Sequence, residues 1–317
     1  EQASREAATT HQPDLLRGID AMTCRCCYAI AVTSEDVERK GRMLERAGRF
    51  AASRQEKAHV ALCEAKWHET AGRPVEAVAA AQRLVDQYAD VPVRDLEVVS
   101  AGDPMAELAE PGDVPAGMLG QKYIGVWIDR HGRRVYEPQD RAAAEAFALA
   151  RSIGDDAGMA DVVRRWPHCA VGDEALLAAA ETAVGRSMNA GDEDDTEVHL
   201  AAAVRYLTEL TERRGAAPAK AVTANAALAM IFSRGGNWLM ARHIIARTRS
   251  AAGDADPTVE FAGVRAALSE IAAEIAHGRK PEFKVSLPKL TDDPTSRPSG
   301  PSTGAAESTT RPAVSAD

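Results

Sequence analysis

Two stretches of the chain carry a small residue, a glycine and a second small residue at one spacing. They are Ala65, Gly72 and Ala77, and then Ala229, Gly236 and Ala241. In both, seven residues separate the first two positions and five the last two. The first alanine therefore lies about two helical turns before the glycine, and the second just over one turn after it. The glycine reverses the chain, and the alanines meet where only small side chains let two helix backbones approach. A chain that uses this device twice is constrained to antiparallel helical hairpins. Composition agrees: aromatics are only 4% of residues, charged residues 27%, and alanine runs through almost every segment, a profile of closely packed helices.

The expected fold is all-α: a right-handed α-α superhelix of about ten helices with a disordered C-terminal tail. Residues 1–33 form an N-terminal helix with Leu15, Ile19, Met22, Cys26 and Ala29 on one stripe. Residues 34–278 form the repeat domain. A helix is predicted from Ser34 to about Ala51. Ser53 and Glu56 make a capping box for the next, which runs to about Thr70. Gly72 and Pro74 turn the chain into a helix ending near Tyr88. Pro92, Pro104, Pro111 and Pro115 then break any helix, so 90–116 reads as an irregular connector in which a lone strand has no sheet to join.

Further helices are predicted at 117–131, 138–152 and 156–166. The next is capped by Asp173 and runs to about Met188, and an acidic loop, Gly191 to Asp195, leads into 196–213. The last three are 218–234, 237–251 and 258–277. Asp256-Pro257 opens the final one, with Phe261, Val264, Leu268, Ile271 and Ile275 as its stripe. Residues 279–317 are rich in Pro, Ser and Thr, which predicts a disordered tail or linker. Its first segment, FKVSLPKL, is placed either to dock back on the helices or to approach a further domain.

The second hairpin, NAALAMIFSRGGNWLMARHIIARTRSAAGDADP, resembles the tetratricopeptide repeat. Leu228, Ala229, Phe232, Gly236 and Ala241 suit that pattern. The first hairpin keeps Ala65, Gly72 and Ala77 but has Glu64 in place of the usual Leu and His68 in place of the aromatic. A third, 173–213, has the helices but a lengthened acidic loop. The resemblance implies a non-catalytic scaffold whose concave surface takes a protein or peptide partner, with no cofactor.

A narrower resemblance covers roughly residues 40–278. The blocks YIGVWIDRHGRRVYEPQDRAAAEAFALA and ADVVRRWPHCAVGDEALLAAAE are similar to the helical region of bacterial proteins that join such repeats to a PQQ-like β-propeller of the outer-membrane-assembly-lipoprotein kind. It implies an alternative role, as the structural arm of a larger envelope protein whose propeller lies outside this chain. It also favours the bacterial envelope or periplasm over the cytoplasm. No signal-peptide pattern is visible, and the chain begins with Glu1 rather than Met, so the compartment stays open.

Candidate chemistry is sparse. Cys24 and Cys27 form a CxxC pair inside Cys24-Arg25-Cys26-Cys27, which a metal or thiol module would use. A zinc site needs about four ligands, and His11 is the only close imidazole. On a helix Cys26 and Cys27 fall on the apolar stripe, so the pair reads as packing, with the thiol or metal module as the alternative. The acidic run 192–195 lacks the glycine and distal Glu of a calcium loop. The histidines are dispersed, and the four tryptophans read as inter-helix packing. No phosphate-binding, dinucleotide or nucleophile-elbow motif is present. The net charge of −9 and pI near 5.5 argue against nucleic acid, and no run reaches the ~20 apolar residues of a membrane span.

Overall fold

The computed structural model describes residues 13–94, 113–213, 215–280 and 282–283. Among them are twelve α-helices and very little strand, so the chain is all-α as its pattern predicts. The first five are α1 (Pro13–Thr33), α2 (Val37–Phe50), α3 (Arg54–Thr70), α4 (Pro74–Gln87) and α5 (Ala116–His131). A 3-10 turn (Arg133–Tyr136) leads to α6 (Glu137–Ser152), α7 (Asp156–Arg165), α8 (Gly172–Asn189) and α9 (Glu193–Glu212). Then come α10 (Pro218–Arg234), α11 (Trp238–Ala252) and α12 (Leu268–Ala276). Each helix packs mainly on its neighbours along the chain, so the core is a series of seams between successive helices. Among the described residues no helix is long and apolar enough to cross a membrane.

Local chemistry explains most boundaries. Ser53 accepts from the N–H of Glu56, and the Glu56 carboxylate accepts from the N–H of Ser53, the expected reciprocal cap. Asp155 caps α7 by accepting from the N–H of Gly158, and Pro167 stops that helix. Buried polar groups tie the seams together. Asp156 on α7 pairs with Arg186 on α8 and accepts from the hydroxyl of Tyr206 on α9 at 3.3 Å. The Gln82 amide on α4 donates to the carbonyl of Arg165 at 2.6 Å and accepts from the Tyr136 hydroxyl at 3.3 Å.

Five expectations need correcting. The connector 90–116 contains a two-stranded antiparallel ladder, β1 (Pro92–Arg94) with β2 (Asp113–Pro115). The strand does have a partner, supplied from across residues 95–112, which lie outside the described residues. Val93 is fully buried there, and that burial favours the pairing. The acidic run is not a long loop: Asp192 is the N-cap of α9, and Glu193, Asp194 and Asp195 fill its first turn, where the helix dipole favours anions. Asp173 does not cap α8; Val171 holds that position, and the Asp173 carboxylate turns away to Arg213 and the N–H of Ala217.

The last predicted helix is half hairpin. Thr258–Phe261 (β3) pairs with Val264–Ala267 (β4), and only Leu268–Ala276 is helical. Val259 and Phe261 are buried while Thr258 and Glu260 are exposed, an alternation that a helical reading of Phe261 and Val264 overlooks. Ala262 and Gly263 both have positive φ, the backbone of a tight two-residue hairpin turn. Asp256 accepts from the N–H and hydroxyl of Ser269 instead of opening a helix at Pro257. Finally, Cys26 is exposed; Cys24 is buried in its place beside Cys27. Of the tail, Phe283 is buried edge-on to Phe261, so the chain returns to the helices at that point. Residues 284–317 lie outside the described residues.

Candidate functional site

The repeat-defining residues sit where hairpin geometry requires. Ala65, Ala77, Ala229 and Ala241 are fully buried, and Leu228 is buried with them. Phe232 is half-buried against the same core. Gly72 and Gly236 have φ of 72° and 80°, a backbone state that costs other residues dearly. The N–H of Arg73 donates to the carbonyl of His68, and that of Asn237 to the carbonyl of Phe232, so the two turns close in the same way. These residues shape the hairpins; none of them presents chemistry to solvent.

The cysteine cluster divides by face. Cys24 and Cys27 are one helical turn apart and pack on Ala47, Ala51 and Val60. Burial pushes the Cys24 thiol above its ordinary value, and Glu56 nearby adds to the effect. Such a thiol is a poor nucleophile and a poor metal ligand. Cys63 donates to the Tyr28 hydroxyl at 3.5 Å in the adjoining seam. Among the described residues no three His, Cys, Asp or Glu side chains are placed to hold a metal.

Two open hollows stand out among the described residues. The first, about 510 Å3, lies between α2, α3 and the turn into α4. Trp67 forms its wall and donates from Nε1 to the carbonyl of Val37 at 2.7 Å. Gly41 lies so close to this indole that a Cβ would overlap the ring. The Arg73 guanidinium stacks on the indole, 4.3 Å from the ring centre. His68 stands beside Trp67 with Nδ1 buried and unpartnered. Burial holds this imidazole below its ordinary value, and Arg73 strengthens the effect.

The second hollow, about 590 Å3, opens along α9. Arg205, Thr208, Glu209, Glu212 and Arg213 form one side; Val163, Arg164 and Pro167 at the end of α7 face them, with Gln121 of α5 at the edge. Burial pushes the Glu209 carboxyl above its ordinary value, against the opposing pull of Arg164, Arg205 and Arg213. This stripe escaped the reading of the sequence. Its signal was present as polar residues at positions 205, 208, 209 and 212, but that pattern also describes any solvated helix face.

The chain matches no protein-family model, no curated protein and no solved structure in comparisons with each.

Proposed function

We propose that this chain is a non-catalytic helical-repeat scaffold, of the tetratricopeptide kind, that holds a protein or peptide partner. One observation carries the reading: successive helices pack mainly on their chain neighbours, the packing pattern of helical-repeat stacks. Stacks of this kind bind through extended surface rather than an enclosed pocket. Two further facts support it. The hairpins turn through the same Ala-Gly-Ala device, with all four alanines buried. Large apolar side chains also stand in solvent, with Leu239 84% exposed and Met240 beside it on α11.

The test is reconstitution. A protein captured from cells on the purified chain is produced separately and titrated against it. Saturable binding at a fixed ratio, unchanged by chelators, is the expected result. Metal- or substrate-dependent turnover by the purified chain would overturn the reading.

A further inference from the structure

From Arg213 to Gly253 the chain has no Asp or Glu, although its net charge is −9. That stretch spans α10 and α11 and holds seven Lys and Arg residues. α11 alone carries Arg242, Arg247 and Arg249 and no carboxylate. Its buried side is Ala241, Ile245 and Thr248. On the opposite side Leu239, His243, Ala246 and Ser250 recur at intervals of four, three and four, so they form one strip. All four are exposed, and Leu239 gives the strip a large apolar side chain. Arg242 and Arg249 border it on one flank and Arg247 on the other, and these are exposed too.

The chain balances these arginines only in part. Arg242 donates to the carbonyl of Ala276 at 3.1 Å, which uses one of its N–H groups. The hydrogen bonds from Ser269 hold the Asp256 carboxyl below its ordinary value, and Arg249 adds to the effect. Asp254 and Asp256 follow the end of α11, so they lie toward Arg249 rather than toward Arg242 and Arg247. Among the described residues none of the three arginines is in an ion pair. An exposed cation is at no cost in water. What the helix creates is a field of one sign beside an apolar contact, and such a face draws and orients a complementary anion.

We propose that this face of α11 binds an acidic segment of a partner protein, its carboxylates on Arg242 and Arg247 and a large apolar side chain against Leu239. Such a site rests on the scaffold reading and adds which face is used and what chemistry the partner brings. Charge chooses the occupant. A second copy would set the same arginines against each other across a twofold axis. Residues 284–317 hold four acidic and four basic side chains, so the chain's own tail brings no net charge. Nucleic acid would meet a chain of net charge −9, and the strip has no Trp, Tyr or Phe on which a base could stack. An acidic peptide needs only a short cationic face beside an apolar contact, and α11 presents both.

Selection from a library of short random peptides, with the immobilised full chain as bait, tests this without presuming a partner. The recovered peptides are expected to be enriched in Asp and Glu and to carry Leu, Ile, Met or Phe among them. A recovered peptide, synthesised with a fluorescent label, is expected to bind about tenfold more weakly to Arg242→Glu and to Arg247→Glu, the loss of one charge-assisted contact. Leu239→Ser should weaken it as well. Replacing the peptide's Asp and Glu by Asn and Gln should remove the difference between the native chain and the two charge variants. Unchanged thermal unfolding shows that the variants fold, as exposed substitutions should. Recovery of no peptide, recovery without acidic enrichment, equal binding by the variants, or tighter binding of a single-stranded DNA of the same length would each overturn the proposal. The scaffold reading is decided separately, by reconstitution with an intact partner protein.

Discussion

Arg213 at the end of α9 donates to the carboxylate of Asp173 in the first turn of α8, forty residues earlier in the chain. The same carboxylate accepts from the N–H of Ala217 just before α10, at 2.9 Å. The same guanidinium donates to the carbonyls of Pro167 and Cys169 after α7, each at 2.9 Å. One mostly buried pair therefore joins four helix ends. Arg213→Met strands the carboxylate and two carbonyls, and is expected to lower the unfolding free energy by about 3 kcal/mol. Urea denaturation measures it. A loss under about 0.5 kcal/mol would place the pair with exposed ion pairs, which contribute little.

His168 gives the fold an acid limit. Its Nε2 donates to the carbonyl of Gln121 at 2.8 Å, and its ring sits edge-on to Tyr136. Burial holds the imidazole below its ordinary value of 6.5, and Arg213 and Arg133 act in the same direction. The folded state thus binds this proton less readily than the unfolded chain. The stabilisation is complete above the unfolded value and is lost as pH falls below it. Unfolding free energy is expected to fall between pH 7 and pH 5, by up to about 1.4 kcal/mol per pH unit for one such group. His168→Gln should flatten that slope; an unchanged slope would assign the acid sensitivity to other groups.

Two glycines in the first helices should respond in opposite directions to alanine. At Gly41 a Cβ would overlap the Trp67 indole, so Gly41→Ala is expected to cost about 1–3 kcal/mol. Gly18 lies within α1 with nothing within 4 Å of such a Cβ. Gly18→Ala is expected to stabilise by about 0.5–1 kcal/mol, through helix propensity alone. Thermal unfolding of the two variants side by side checks both signs.

Thiol accessibility separates the cysteines. Cys26 is exposed, whereas Cys24, Cys27, Cys63 and Cys169 are buried. Burial also raises the Cys24 and Cys169 thiols, which lowers their thiolate fraction. Native protein treated with iodoacetamide is expected to be labelled first at Cys26, with the other four following only on unfolding. Peptide mass spectrometry reads the order. Rapid labelling of Cys24 or Cys27 would revive the thiol reading of the cluster.

Much of the fold was legible because its signals are local. The Ser53–Glu56 box, the Gly72 and Gly236 turns and the stop at Pro167 each depend on residues within one helical turn, and each marks a real boundary. The misreadings share a different cause. Phe261 and Val264 fit a helical stripe as well as an alternating strand over so short a run, and pairing with the returning strand decided between them. Val93 needed a partner from across a long connection, which no window along the chain could supply.

What the sequence determined by itself is the all-α class, the hairpin turns and most helix ends, because caps, glycine turns and apolar periodicity act over a few residues. What only the tertiary structure decided is the use of its polar groups. Asp173 reads as a cap but serves Arg213, because burial between helices makes a distant guanidinium the better partner. Arg205 and Glu209 line a hollow with Val163, Arg164 and Pro167, which their spacing along the chain does not distinguish from a solvated helix face. Those choices depend on which surfaces meet, a property of the packed stack rather than of any single helix.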